Sequence, residues 1–280
     1  MDSASAEPRM IGSITQIWRY PVKSMGGELL SAADVSERGI AGDRLLAVLD
    51  VTAGKILSAK KESRLLSASA RIRDRDDVRV TLPEHGEFEA DDPRLHSALS
   101  AWLGRECRLV RPVPGVSAVF EKRDADDENL VKDLTTRPGL FFDTKSTLHV
   151  LTTSSLESAR RLYPEGDWDV RRFRPNILVE TEDEGFPEES WPGTTIALGA
   201  ASAWVRKATP RCAMTGRAQA SLPQDREIHR TLARRHGNVL GVLAHPAGDA
   251  CLRIGDLVSR QPAAADARVG ALLPTDPFRD

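Results

Sequence analysis

The sequence predicts a mainly β protein of the α+β kind, built as two β-barrel-like units with a few short helices. Three features carry that expectation: short β-branched or alternating runs recur along the chain, few segments keep a helical period, and one aperiodic stretch divides it near the middle. Residues 11–19 mix β-branched and aromatic side chains, residues 45–50 form a short apolar run, and residues 77–83 alternate before stopping at Pro83. Residues 92–104 read as one helix, with Asp92 suited to the N-cap, Pro93 to the first position and Gly104 to the C-terminal stop. Leu95, Leu99, Trp102 and Leu103 fall on one face of it, which is its packing face.

Between Arg111 and Gly139 the periodicity is lost. Prolines and a glycine precede the acidic run Asp124-Ala125-Asp126-Asp127-Glu128, which reads as a solvated loop and as the boundary between a unit at 11–115 and one at 135–260. Beyond it, residues 148–151 form a buried-strand candidate, and Ser154 is the expected cap of a helix carrying Leu156, Ala159 and Leu162. Residues 177–180, 195–198, 201–207, 238–244 and 251–259 read as strand material. Residues 227–235 read as a short helix with Ile228, Leu232 and Ala233 inward, and the tail from Pro262 onward as a fraying end.

The 280 residues are 40% hydrophobic and 29% charged with a net charge of −2, an ordinary globular composition that gives no electrostatic argument for nucleic acid. No apolar run approaches the roughly 20 residues a membrane helix needs, and the first residues lack the pattern of a signal peptide, so a cytoplasmic protein acting on a small molecule is expected. Three cysteines without C-x-x-C spacing make neither a disulfide framework nor a zinc or iron–sulfur site, so electrons, if used, come from another protein.

Cys212 lies in Ala208-Thr209-Pro210-Arg211-Cys212-Ala213-Met214-Thr215-Gly216, beside a fixed guanidinium and flanked by residues that favour an exposed loop. A neighbouring cation stabilises a thiolate, the form that attacks electrophiles and binds soft metals, although a lone cysteine also serves as a small core hydrophobe. Cys107 and Cys251 open alternating runs and read as structural. His149 and His245 lie near candidate strands and read as structural too, with no general base assigned.

Three polar clusters accompany the thiol. Tyr20-Pro21-Val22-Lys23-Ser24-Met25-Gly26-Gly27 sets a lysine and a hydroxyl on a glycine-bearing turn, Gly39-Ile40-Ala41-Gly42-Asp43-Arg44 leads a charged pair to a strand mouth, and Arg171-Arg172-Phe173-Arg174-Pro175-Asn176 is rich in arginine. Each could be surface decoration, and Asp43 and Arg44 could simply pair with each other. Together, Lys23, Arg44, Arg174, Asn176 and Cys212 suit a phosphorylated heterocycle bearing a thiophilic metal: arginine forks onto phosphate, and asparagine reads donor and acceptor edges.

In this order, and with the closing Arg253-Ile254-Gly255-Asp256-Leu257-Val258, these motifs resemble the MOSC-domain family, named for the molybdenum cofactor sulfurase C-terminal domain, over roughly residues 11–260. The match is to the two-part form, an N-terminal β-barrel segment followed by the MOSC domain, similar to amidoxime-reducing members. The resemblance implies a molybdopterin (molybdenum) cofactor site between the units, with Cys212 as catalytic residue and molybdenum ligand. It implies cofactor contacts from Lys23, Ser24, Arg44, Arg174, Asn176 and Arg211, and from Ser146 and Asp143, with Thr152 as a rival for the role of these two. One departure touches the substrate pocket: Thr215 is followed by Gly216 where the family has a second threonine.

The resemblance further implies an oxidoreductase that reduces N-hydroxylated or related N- or S-oxygenated small molecules with electrons from an external ferredoxin or flavoprotein reductase. Two alternatives stay open: a sulfur-transfer protein carrying a persulfide on Cys212, and a non-catalytic cofactor carrier. Pyridoxal phosphate, nucleic acid and membrane are not expected.

Overall fold

The computed structural model describes residues 8–74, 77–123, 131–142 and 146–261; the acidic run at 124–128, Asp143 and the tail from Pro262 lie outside the described residues. Among these residues the largest body is a closed barrel of seven strands. The order is Ile177–Thr181, Leu148–Thr152, Val239–Ala247, Ala201–Pro210, Thr195–Leu198, Leu257–Arg260 and Arg9–Arg19, the last returning to Ile177–Thr181. Alternation puts Ile14, Ile17, Val150, Val179, Ile196 and Val242 inside, each at most 1% exposed, and this apolar filling holds the barrel shut.

The strand Arg9–Arg19 comes from the far N-terminus, yet it pairs with Ile177–Thr181 on one edge and Leu257–Arg260 on the other. It therefore closes the barrel of the C-terminal half and carries the chain directly to Tyr20 and Lys23. All its pairings are antiparallel, as are the others in the ring except that of Leu148–Thr152 with Ile177–Thr181, which is parallel and is bridged by helix α2 (Thr153–Leu162).

The second unit packs the sheet Cys107–Val110, Ala47–Asp50, Lys55–Ile56, Val119–Arg123, Val131–Thr135 and the smaller sheet Ser69–Ile72, Val78–Leu82, Gly86–Glu89 with helix α1 (Pro93–Leu103). Its core centres on Val48, Leu65, Val80, Leu95 and Leu99, with Cys107 buried among them. The α1 helix follows its local signals: Asp92 accepts from Arg94 N–H at 2.8 Å, Pro93 opens the first turn, and Gly104 ends it at φ 64°. Helices α2 and α3 (Arg226–Arg235) lie outside the barrel on a third apolar cluster around Trp168 and Phe173.

Four expectations are corrected. The stretch 111–139 is not all loop, because Val119–Arg123 and Val131–Thr135 form a hairpin that Phe120, paired with Ile56, ties to the sheet. Helix α2 is capped by Thr152 rather than Ser154, since the Thr152 hydroxyl accepts from Ser155 N–H at 3.1 Å. Residues 251–259 divide into two strands, Ala250–Arg253 and Leu257–Arg260, and Ala233 on α3 faces solvent while Thr231 is buried.

Glu188 is fully buried behind α2, where Oε2 accepts from the hydroxyls of Thr152 at 2.7 Å and Ser155 at 2.6 Å while Oε1 has no partner among the described residues. Burial raises its carboxyl above the usual range, against the two hydroxyl bonds. A raised folded value means the native state holds the proton longer, so this site's contribution is full at acid pH and is lost as pH climbs through that value. Glu188→Gln is accordingly expected to gain stability relative to the parent between pH 5 and pH 8, with the difference vanishing toward pH 4; urea titrations at each pH check it. No helix among the described residues is long and apolar enough to cross a membrane.

Candidate functional site

The turn after the first strand, the turn before Leu46, the 3₁₀ turn Val170–Arg172 and the end of strand Ala201–Pro210 meet in one cleft of about 200 Å³ between the two units. Lys23, Ser24, Arg44, Ser146, Arg174, Asn176, Arg211 and Cys212 all line it. The structure thus brings the sequence-nominated residues together, with Lys23 and Arg44 from the N-terminal half of the chain and Cys212 from the C-terminal half.

The backbone at these positions is unusual. Ser24, Arg44 and Arg174 adopt φ of 70°, 51° and 53°, and Asn238, which supports Arg211, adopts 58°. Such left-handed backbone costs roughly 1–3 kcal/mol at a non-glycine residue and persists only where surrounding contacts impose it. Four of the six such residues in the described chain are in or against this cleft, so strain is concentrated there.

Asp43 organises the wall. Its Oδ1 accepts from Tyr20 N–H at 2.7 Å, its Oδ2 from the Asn176 amide at 3.0 Å, and the same carboxylate pairs with the Arg44 guanidinium. The expectation that Asn176 offers both edges to a ligand is corrected, because its two amide hydrogens go to Asp43 and to Trp18 O (3.3 Å) and its carbonyl accepts from His149 N–H (3.2 Å). Asn176 is therefore a strut between units rather than a reader of a heterocycle.

Tyr20 is buried behind the arginines. The Arg174 guanidinium sits 4.1 Å from its ring centroid and that of Arg44 5.5 Å, with Arg44 also 5.0 Å from the Phe142 ring. Arg174 donates to Met25 O at 2.6 Å, and burial, then repulsion from Arg44, brings its guanidinium down to about 10, still charged at neutral pH. Lys23 donates to Phe141 O at 3.1 Å. The arginine cluster is otherwise structural: Arg171 pairs with Asp169, and Arg172 is fully buried, donating to Asp167 O and Pro223 O.

Cys212 begins the turn Ala213–Gly216, its carbonyl accepting from both N–H and hydroxyl of Thr215 at 3.1 Å. Register shifts near Lys207 and Pro210 bend the strand that delivers it. Its neighbour Arg211 points inward, sharing Phe173 O (3.0 Å) and His149 Nε2 (3.4 Å), and burial pushes it down to about 10. Arg174 O can only accept and Arg211 can only donate, so His149 carries its hydrogen on Nδ1. Burial, then the Arg211 charge, holds this ring well below its ordinary value.

Gly216 answers to the helix behind it. A Cβ there would lie 2.5 Å from Asp225 O and 3.1 Å from Arg226 Cα, so this chain draws α3 closer to the cysteine turn than a threonine would allow. Gly216→Thr is expected to cost about 1–3 kcal/mol through this clash and to lower occupancy of the cleft; thermal melts alongside ligand content check it.

Sequence reasoning missed Ser58, Ala59 and Lys60, which line the cleft from the segment after strand Lys55–Ile56, and also Phe142 and Thr209. Asp43 reads from the sequence only as a possible pair for Arg44. Ser58 Oγ, Thr209 Oγ1 and Arg211 Nε are buried without a hydrogen-bond partner among the described residues. A cleft with several cations, a soft thiol and three unanswered polar atoms fits an anionic, polar ligand bearing a soft metal.

Residues 11–103 match the MOSC N-terminal beta barrel domain, and residues 135–259 match the MOSC domain. The chain belongs to the MOSC-domain family. The family is associated with molybdenum cofactor binding. Mitochondrial amidoxime reducing component 2 of Macaca fascicularis is 25% identical over 232 residues, covering 74% of this chain and 67% of the relative. Among solved structures, the YUAD protein of Bacillus subtilis aligns over 90% of this chain and 96% of its own at 10% identity and TM-score 0.48. YiiM from Geobacillus stearothermophilus aligns over 53% and 74% at 9% identity and TM-score 0.30. The boundary of the MOSC match at 135 leaves out the first strand, although that strand closes the MOSC barrel in space.

Proposed function

We propose that this chain holds a molybdenum–pterin cofactor in the cleft, with the Cys212 thiolate as the protein's ligand to the metal, and reduces N-oxygenated small molecules with electrons from an external protein donor. The observation that carries the reading is the convergence of Lys23, Arg44, Arg174 and Arg211 on the wall of one cleft with Cys212, Arg44 and Arg174 being held there on left-handed backbone. Cations gathered this closely favour an anionic ligand beside the Asp43 carboxylate, and a phosphorylated cofactor supplies one.

When bound, the group supplies two-electron chemistry, in which the substrate N–O bond is cleaved and the oxygen leaves as water with two protons. The protein's part is to bind and orient. Lys23, Ser24, Arg44 and Arg174 meet the phosphate end, Asp43 and Asn176 keep the arginine wall in register, and Tyr20 backs it. Arg211 and Ser146 are further cofactor contacts. Ferredoxin or a flavoprotein reductase is the class of donor expected. The relative named for amidoxime reduction supports the substrate class.

Protein from a cofactor-competent host is expected to carry about one molybdenum and one pterin per chain, and to reduce an amidoxime with a chemically reduced viologen. Molybdenum without turnover would mark a carrier, and a persulfide on Cys212 without molybdenum a sulfur-transfer protein; either result overturns the reductase reading.

A further inference from the structure

The segment between strand Lys55–Ile56 and the 3₁₀ turn Ser63–Ser67 reaches the cleft through a residue that none of the motifs contains. Ser58 is 4% exposed, and among the described residues its Oγ has no hydrogen-bond partner. The backbone around it is pinned. Ser58 O accepts from the N–H groups of Lys61 at 2.9 Å and Glu62 at 2.8 Å, and Leu57 N–H donates to Val48 O at 2.8 Å. The Ala59 N–H donates to Ser24 Oγ at 3.0 Å, which sets the 58–59 peptide against Ser24.

That last bond also has a chemical consequence. A serine hydroxyl that accepts from an amide keeps its own hydrogen to donate, so Ser24 and Ser58 are two hydroxyl donors from separate segments in the same cleft as the Lys23 ammonium. A buried hydroxyl left unanswered destabilises the protein until something accepts from it. Phosphate oxygens are the acceptors that suit two hydroxyls and a cation together.

We propose that Ser58 is a further ligand of the anionic group held by Lys23 and Ser24, its hydroxyl donating to a phosphate oxygen. This rests on the reading of the cleft as a site for a phosphorylated cofactor, and it adds a contact from outside the motifs that carry that reading. It makes a second prediction of opposite sign: in the protein without cofactor, Ser58 is a liability, and its removal stabilises the fold.

The test uses the full chain prepared without cofactor and titrated with inorganic phosphate by calorimetry. Ser58→Ala is expected to weaken binding about tenfold and Ser58→Thr, which keeps the hydroxyl, to retain most of it. The same alanine variant is expected to melt at a higher temperature than the parent when empty, and to carry less pterin and molybdenum when made in a cofactor-competent host. Unchanged phosphate affinity in Ser58→Ala, with weaker binding in Arg174→Ala, overturns the proposal and leaves the cofactor reading standing. Unchanged affinity in both variants overturns the cofactor reading. A lower melting temperature in Ser58→Ala with unchanged affinity marks Ser58 as structural and also overturns the proposal.

Discussion

Cys212→Ala is expected to lower amidoxime reduction by about a thousandfold or more, some 4 kcal/mol of transition-state free energy, with little change in stability. The thiol is partly exposed at the start of a short turn and stands outside the buried apolar clusters, so truncation removes little packing. The turn itself is held by backbone and by Thr215, none of it through Sγ. Cys107 is the contrast: it is buried in the core of the smaller unit, and burial pushes its thiol up to about 11, so its replacement by Ala costs stability through a small cavity but not turnover per molybdenum. Cys251, on a strand beside the barrel, is expected to be replaceable without loss of activity. Rates with a reduced viologen, molybdenum content and melting curves on the three variants check this. Full turnover in Cys212→Ala with molybdenum bound would remove the assigned ligand.

Arg174→Ala and Arg44→Ala are expected to lower cofactor affinity by about ten- to a hundredfold each, since a charge-assisted hydrogen bond is worth roughly 1.5–3 kcal/mol. The rate per bound molybdenum should stay near that of the parent, because these side chains are assigned to the phosphate rather than the metal. Arg174 also donates to Met25 O and covers the Tyr20 ring, so its alanine variant leaves a buried carbonyl unpaired and loses some stability as well. Arg174→Lys is expected to recover only part of the loss: an ammonium keeps the charge but cannot lie flat on Tyr20 while forking toward a ligand. Molybdenum per chain, measured beside rate per molybdenum, separates holding from chemistry. Unchanged occupancy in both alanine variants would mean that these arginines do not hold the phosphate.

The legible parts of the fold were those decided within a few residues. Helix α1 carried its cap, its first-turn proline and its terminal glycine in the sequence, and the structure uses all three. The start of α2 lies two residues before the cap that local sequence favours, because Thr152 is fixed as cap together with Glu188, 36 residues away. The hairpin flanking residues 124–128 is hidden because its strands join the sheet through the pairing of Phe120 with Ile56 and ion pairs from Lys55 and Lys61, which no local period announces.

By itself the sequence determined which side chains carry charge, thiol and hydroxyl, in which motifs, and hence the family and the residue types of the site. The tertiary structure alone decided that the first strand closes the barrel of the other half, that Asn176 spends its amide on Asp43 and Trp18, and that Ser58 joins Lys23 and Ser24. The reason is physical: burial and hydrogen-bond geometry are set between segments far apart in the chain. Lys23 meets Phe141 across 118 residues and Arg174 meets Met25 across 149, and a bond of 2.6 Å at that separation exists only once the two units have packed.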